Sequence, residues 1–249
     1  MKKLIYLFSF AAVLASCAGS DDANENTNPE TMLVKKRVFN DGFETVTTNY
    51  TYNGQKLVKT TDDNGMYSKL TYTGDLITKW EWFDADDTST EVETFEYNAS
   101  GQLTKYTDLY YDFEEEVEVY NYVHNADGSI SYTHYSGNST VQSFDHDGVI
   151  TATQYSEHHE DLGETYTNTF TFDDKNNPYK NVIGFDKIVF SEGSDPAPLN
   201  FNNNVLSNIH SEYDDESGTF TYTYNAANFP LTQDELEADE HYTTTYTYQ

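Results

Sequence analysis

From about residue 45 to the end of the chain, apolar positions alternate with polar ones, and most of the apolar positions are rings. One unit recurs: an aromatic residue, any residue, a second aromatic, a polar turn containing Gly or Asn, then an aliphatic residue. Its copies are Tyr50-Thr51-Tyr52-Asn53-Gly54 with Leu57, Leu70-Thr71-Tyr72-Thr73-Gly74 with Leu76, and Phe95-Glu96-Tyr97-Asn98 with Gly101 and Leu103. Tyr120-Asn121-Tyr122 follows with Asp127-Gly128 and Ile130, then Phe144-Asp145-His146-Asp147-Gly148 with Ile150. Later copies use Asn or Asn-Pro: Phe170-Thr171-Phe172 with Asn177-Pro178, Phe201-Asn202-Asn203-Asn204 with Leu206, and Tyr222-Thr223-Tyr224-Asn225 with Pro230-Leu231. The chain ends on a half unit, Tyr246-Thr247-Tyr248.

Two aromatics at spacing two share one face of a strand, because side chains alternate along it. Asn-Gly and Asp-Gly supply the positive φ angles of tight hairpin turns. Pro178 and Pro230 fall at turns, where a missing N–H breaks no ladder. The step between copies is about 24 residues, room for two strands and two turns, so roughly 16 to 18 strands follow. No sustained helical periodicity interrupts them. The predicted fold class is all-β: an antiparallel meander of about eight tandem hairpin repeats, twisted or rolled into an open or barrel-like sheet.

The N-terminal pattern is different. Lys2 and Lys3 precede an apolar run, Leu4 to Ala15, interrupted only by Ser9. The run is shorter than the roughly 20 residues a spanning helix needs, but it has the length of a signal-peptide core. It closes on Leu14-Ala15-Ser16-Cys17, which resembles the bacterial lipobox, and Cys17 is the only Cys in the chain. Residues 1–16 therefore read as a lipoprotein signal peptide and Cys17 as the lipidated residue. Residues 17–30 read as a lipidated flexible tether, and 31–249 as the β-hairpin repeat domain. Ser20-Asp21-Asp22 resembles the short acidic export signal that sends lipoproteins of the Bacteroidota to the cell surface. With a single Cys no intrachain disulfide forms, so the fold stands on packing alone.

Composition sharpens this picture. The net charge is −30. Such a chain does not bind nucleic acid through phosphates, which demands Lys and Arg; cations and cationic partners are its electrostatic companions. Leu, Ile, Val and Phe are too few for an ordinary core at this charge. The 22 Tyr residues make up the deficit, and they are patterned, so the apolar layer is expected to be built from rings.

The unit resembles the YD repeat of the RHS family, and more closely the degenerate copies of it in Bacteroidota surface lipoproteins of unknown function. The resemblance covers residues 45–249 and implies repeat architecture. It implies little about activity, because such repeats serve as shells, stalks and scaffolds. A transmembrane barrel is disfavoured, since the outward strand positions carry Thr, Glu, Asp and Lys where lipid demands apolar residues.

Candidate chemistry is sparse. Trp80 and Trp82 share a sheet face and lie off the repeat's aromatic positions, which makes them the candidate ligand platform for stacking sugar rings. Acidic groups cluster at Asp84-Ala85-Asp86-Asp87, Glu114-Glu115-Glu116 with Glu118, Asp145-His146-Asp147, and Asp214-Asp215-Glu216. Calcium is the one cation they suggest, but none has EF-hand spacing, and the more economical reading is a solvated acidic surface. Of seven His, only His158 and His159 are dense, and adjacent residues on a strand face opposite ways. No metal site and no catalytic residue is assigned, and no cofactor is expected. The expected protein is a non-catalytic, lipid-anchored outer-membrane or cell-surface module for binding or scaffolding. Its partners would be the membrane, through the lipid, and a glycan or another envelope protein. A ligand-free structural shell and a glycoside-active enzyme are the alternatives.

Overall fold

The computed structural model describes residues 28–111, 116–159, 162–188, 190–191, 199–211, 217–238 and 240–249. Cys17 and Ser20-Asp21-Asp22 lie outside the described residues, as do Glu114, Glu115 and Asp214-Asp215-Glu216. Within them, contacts of the folded domain reach back past Thr31: Asn181 Nδ2 donates to the carbonyls of Pro29 and Met32 at 2.8 and 2.9 Å.

In most copies the aromatic pair lies at the turn-proximal end of a strand, and the next aliphatic residue falls at the start of the following one. The first eight strands are β1 Val34–Asn40, β2 Thr45–Asn53, β3 Lys56–Asp62, β4 Tyr67–Thr73, β5 Leu76–Phe83, β6 Ser89–Tyr97, β7 Leu103–Tyr110 and β8 Glu116–His124. The remainder are β9 Ile130–Gly137, β10 Gln142–Ile150, β11 Gln154–His159, β12 Glu164–Phe172, β13 Val205–His210, β14 Gly218–Tyr224, β15 Pro230–Glu237 and β16 Glu240–Tyr248. Gly54 at the β2–β3 turn has φ +63°, and no atom lies within 4 Å of where its Cβ would sit. Glycine is required there by backbone conformation, not by crowding.

The meander closes. Every strand pairs antiparallel with its neighbours in sequence, and β1 pairs with β16 from Val34↔Tyr248 to Asn40↔Thr243. The expected all-β antiparallel class holds, but the eight hairpins are not separable units. Each strand is hydrogen-bonded on both sides, so the sixteen strands share one continuous ladder with no free edge.

Two copies of the unit depart from the predicted scheme. Asp147-Gly148 is no turn: β10 runs through it, and the turn falls at residues 151–153. Gly148 is needed there for space, since a Cβ would lie 2.5 Å from the Tyr132 hydroxyl and 2.2 Å from the Ser156 carbonyl oxygen. Phe201-Asn202-Asn203-Asn204 forms no strand either. It closes a long connection, residues 173–204, between β12 and β13.

A sixteen-stranded barrel has a lumen wide enough for a channel. Here the described parts of that connection, residues 173–188, 190–191 and 199–204, fold into it. Val182, Phe185, Ile188, Phe190 and Phe201 are buried in one cluster with Leu57, Ile77, Leu103, Ile130 and Ile150 from the wall. Phe185 lies 5.8 Å from Trp80, and Phe190 meets Tyr122 edge-on at 5.2 Å. The inner wall carries the ring layer foreseen from the sequence: Phe95, Tyr106, Tyr120, Tyr122, Tyr132 and Tyr155 are all buried. The plug is pinned to the same barrel end as the N-terminal segment, where Ile183 N donates to the Gln55 carbonyl at 3.0 Å.

The outer wall mixes polar positions with exposed apolar ones, among them Val123, Val149, Ile209 and Leu236. Thr51, Lys69, Thr71, Glu96, Asn121 and Thr169 point outward from the bodies of their strands. Lys59 and Lys69 sit over the outward ring of Tyr67, which stacks on Phe83 at 4.8 Å.

Candidate functional site

Trp80 and Trp82 do share a sheet face, but it is the inner one. Trp80 is 7% exposed; Trp82 covers one side of its indole at 5.1 Å, and Phe185 of the plug lies on it at 5.8 Å. Trp82 is half-buried against the same cluster. The pair is packed as core, and the Trp80 ring has no open face for a sugar.

The open space lies on the other side of the lumen. A partly open cavity of about 570 Å³ is lined by β12–β16 and the start of the plug. Its rings are Phe170, Tyr179, Phe220, Tyr222 and Tyr246, and its polar lining includes Asn168, Asn208, Gln233 and Glu235. These residues face inward because the period-two pattern of each strand continues past the aromatic pair. Tyr246 Oη donates to Gln233 Oε1 at 3.2 Å, and Gln233 Nε2 donates to Glu235 Oε2 at 3.3 Å. The Oδ1 atoms of Asn168 and Asn208 are buried without a hydrogen-bond partner. An amide oxygen in this position is available to accept from a bound donor. This cavity was not legible in the sequence, because Asn168, Asn208 and Gln233 belong to no motif.

Beyond the ring layer, toward the end opposite the plug, the inner wall turns acidic. Tyr106 Oη lies 3.2 Å from both Glu93 Oε1 and Asp108 Oδ2. One hydroxyl proton cannot serve two ionised carboxylates at once. Burial raises the Asp108 carboxyl above its ordinary range. Burial, followed by the charges of Asp108 and Glu118, pushes Glu91 up to about 7. Burial also keeps Tyr106 and Tyr155 far above the ordinary phenol value, so both are neutral donors.

Farther round the wall, three imidazoles stand in a row. His134 and His146 are directly paired across β9 and β10, their ring centroids 4.4 Å apart, and His146 is 4.9 Å from His159 on β11. Asp145 Oδ2 lies 3.1 Å from His134 Nδ1 and 2.9 Å from His146 Nδ1. Of the expected Asp145-His146-Asp147 cluster, a register shift between Phe144 and His146 brings the first two together. Asp147 pairs opposite Thr133 and His158, with the outward set. His158 and His159 face opposite ways, as adjacent strand residues must: His158 Nδ1 contacts Thr165 Oγ1, while His159 hydrogen-bonds Glu157 inside.

Asp84–Asp87 form the β5–β6 turn instead of a convergent site. Asp86 Oδ1 accepts from Thr88 N, and Asp87 Oδ1 accepts from Tyr67 Oη. Among the described residues, the groups whose donor atoms converge closely enough to hold a metal ion do not include them.

No known family pattern matches this chain, and no curated protein does. A solved structure, that of a porin-like protein from Bacteroides uniformis, is similar in fold with a TM-score of 0.52. It is 14% identical, and the match covers 87% of this chain and 98% of that one. At this identity the likeness shows the architecture, a closed antiparallel β-barrel, and nothing finer.

Proposed function

We propose that this chain is a non-catalytic, lipid-anchored barrel of the outer-membrane surface that binds a neutral, hydroxyl-rich ligand of the sugar class. The observation that carries the reading is the cavity in the lumen, where tyrosine rings stand beside the unpartnered amide oxygens of Asn168 and Asn208. Its volume of about 570 Å³ falls in the range of small-molecule sites. Rings that stack on sugar faces, next to amides that exchange hydrogen bonds with hydroxyls, are the matching chemistry. Glu235 and Glu237 at its rim disfavour anionic ligands.

The outer wall supports a barrel standing in water. Lys or Arg at the midplane of a lipid-facing barrel wall costs roughly 2–4 kcal/mol each, and Lys59, Lys69, Lys79 and Lys105 lie on the strands of this one. The lipid on Cys17 then supplies the attachment, and Ser20-Asp21-Asp22 the outward address. The described chain begins at the plugged end, where Asn181 binds the Pro29 and Met32 carbonyls, which favours an acidic end turned away from the membrane.

A neutral-glycan array probed with the full chain tests the reading. Binding is expected, and Asn208→Ala or Gln233→Ala should weaken it at least tenfold, while Lys69→Ala should leave it unchanged. Failure to bind any neutral glycan overturns the sugar assignment. Turnover of a bound glycan overturns the non-catalytic one.

A further inference from the structure

We propose that His134, Asp145 and His146 form a binding site for one divalent first-row transition metal of the zinc class, on the lumen wall apart from the proposed sugar cavity.

The first argument is geometric. His134 Nδ1, His146 Nδ1 and Asp145 Oδ2 form a triangle with sides of 3.1, 3.1 and 2.9 Å. Zinc binds imidazole nitrogen and carboxylate oxygen at roughly 2.0–2.2 Å, which places neighbouring ligands of a tetrahedron about 3.3 Å apart. An ion about 1 Å out of the plane of these three atoms reaches all three at such distances.

The second argument is proton accounting at the far nitrogens. His134 is 4% and His146 6% exposed, and the Nε2 atom of each is buried without a hydrogen-bond partner. His134 Nε2 faces Glu118 Oε2, and His146 Nε2 faces Glu157 Oε1, each at 3.7 Å. If the ring protons sat on Nδ1, two bare lone pairs would point at carboxylates. With the protons on Nε2, each N–H faces a carboxylate 3.7 Å away, beyond direct hydrogen-bond distance, and the two Nδ1 lone pairs are left 3.1 Å apart beside Asp145 Oδ2. A cation at that point resolves the conflict. Carboxylate, imidazole and metal in line is the arrangement that fixes the ligand tautomer and raises its basicity.

The donor set selects the metal. Two imidazoles and one carboxylate suit Zn²⁺ and its first-row neighbours. Calcium requires six to eight oxygen ligands, and two of the three donors here are nitrogen. The tight packing of the wall fixes the ligands: Tyr120 stacks on His134 at 4.3 Å, and His159 stacks on the other side of the row.

The test uses the full chain, purified in detergent and stripped with a chelator. Calorimetric titration with Zn²⁺ should show one tight ion per chain, and Co²⁺ should give the visible absorption of a tetrahedral nitrogen–oxygen site. Asp145→Ala and His146→Gln should each weaken Zn²⁺ at least tenfold and alter the Co²⁺ spectrum, while His241→Gln should change neither. If His146→Gln fails to fold, Asp145→Ala decides the matter, since that side chain is 46% exposed and its loss leaves the packing intact. Absence of saturable Zn²⁺ binding overturns the proposal. So does binding that Asp145→Ala leaves unchanged, or displacement of Zn²⁺ by equimolar Ca²⁺. None of these outcomes bears on glycan binding, which the array reads separately.

Discussion

The two ends of this lumen are made from the same strands and obey different physics. At the plugged end the inward positions are rings and aliphatics, and Val182, Phe185, Ile188, Phe190 and Phe201 of the plug pack between them. At the opposite end the same inward register carries Glu91, Glu93, Asp108, Glu118, Glu157 and three His. One half is held by burial of apolar surface, the other by hydrogen bonds and shared protons. A strand of eight or nine residues thus contributes its last aromatic pair to cohesion and leaves its first inward residues to chemistry.

The largest effect should come from breaking the cohesive end. Phe185→Ala removes a buried ring from between the plug and Trp80. It should cost about 3–5 kcal/mol, read as a lowered denaturant midpoint. A loss under about 1 kcal/mol would mean that the plug is not part of the core. Gly148→Ala comes next. Its Cβ would collide with the Ser156 carbonyl and with Tyr132, so about 1–3 kcal/mol of destabilisation is expected. An unchanged melting temperature would show that β10 does not pass through Gly148 as described.

The acidic end should reveal itself through pH. Glu91 titrates at about 7 in the fold, above an ordinary glutamate. Between about pH 4.5 and 7 the folded chain therefore holds a proton that the unfolded chain has released, and stability falls as pH rises through that window. Allowing for solvent at this end of the lumen, the loss should be about 1–2 kcal/mol. Glu91→Gln should flatten that part of the pH–stability curve; a profile identical to the parent's would remove Glu91 as its source. Smallest of all should be the outer wall. Lys69→Ala removes an exposed side chain beside Glu81 and Tyr67 and should change stability by under about 0.5 kcal/mol. A larger loss would indicate that the outer wall is covered.

Legibility followed the same division. The ring layer was visible because Tyr50, Tyr52, Tyr120 and Tyr122 repeat at spacing two, and spacing two means one face. Trp80 and Trp82 were also seen to share a face, but a sequence does not say which face, and the plug that covers Trp80 begins roughly ninety residues later. The histidines looked scattered for a related reason. His134 and His146 are twelve residues apart, and only the β9–β10 register, with its shift before His146, sets them opposite each other. The Asp147-Gly148 turn was misplaced because Asp-Gly reads as a turn locally, whereas packing against Tyr132 favours an unbroken strand.

What the sequence determined by itself was local and periodic: strands from alternation, most turns from Gly- and Asn-containing stretches, and a core of rings from the two-residue spacing. These depend on neighbours a few residues apart, which the chain displays directly. Closure of β1 on β16, packing of Val182, Phe185 and Ile188 in the lumen, the cavity beside Asn168 and Asn208, and the His134–Asp145–His146 triangle were decided by the tertiary structure. Each depends on the register between strands, and register is set by the packing of the whole barrel, which no single stretch of the chain contains.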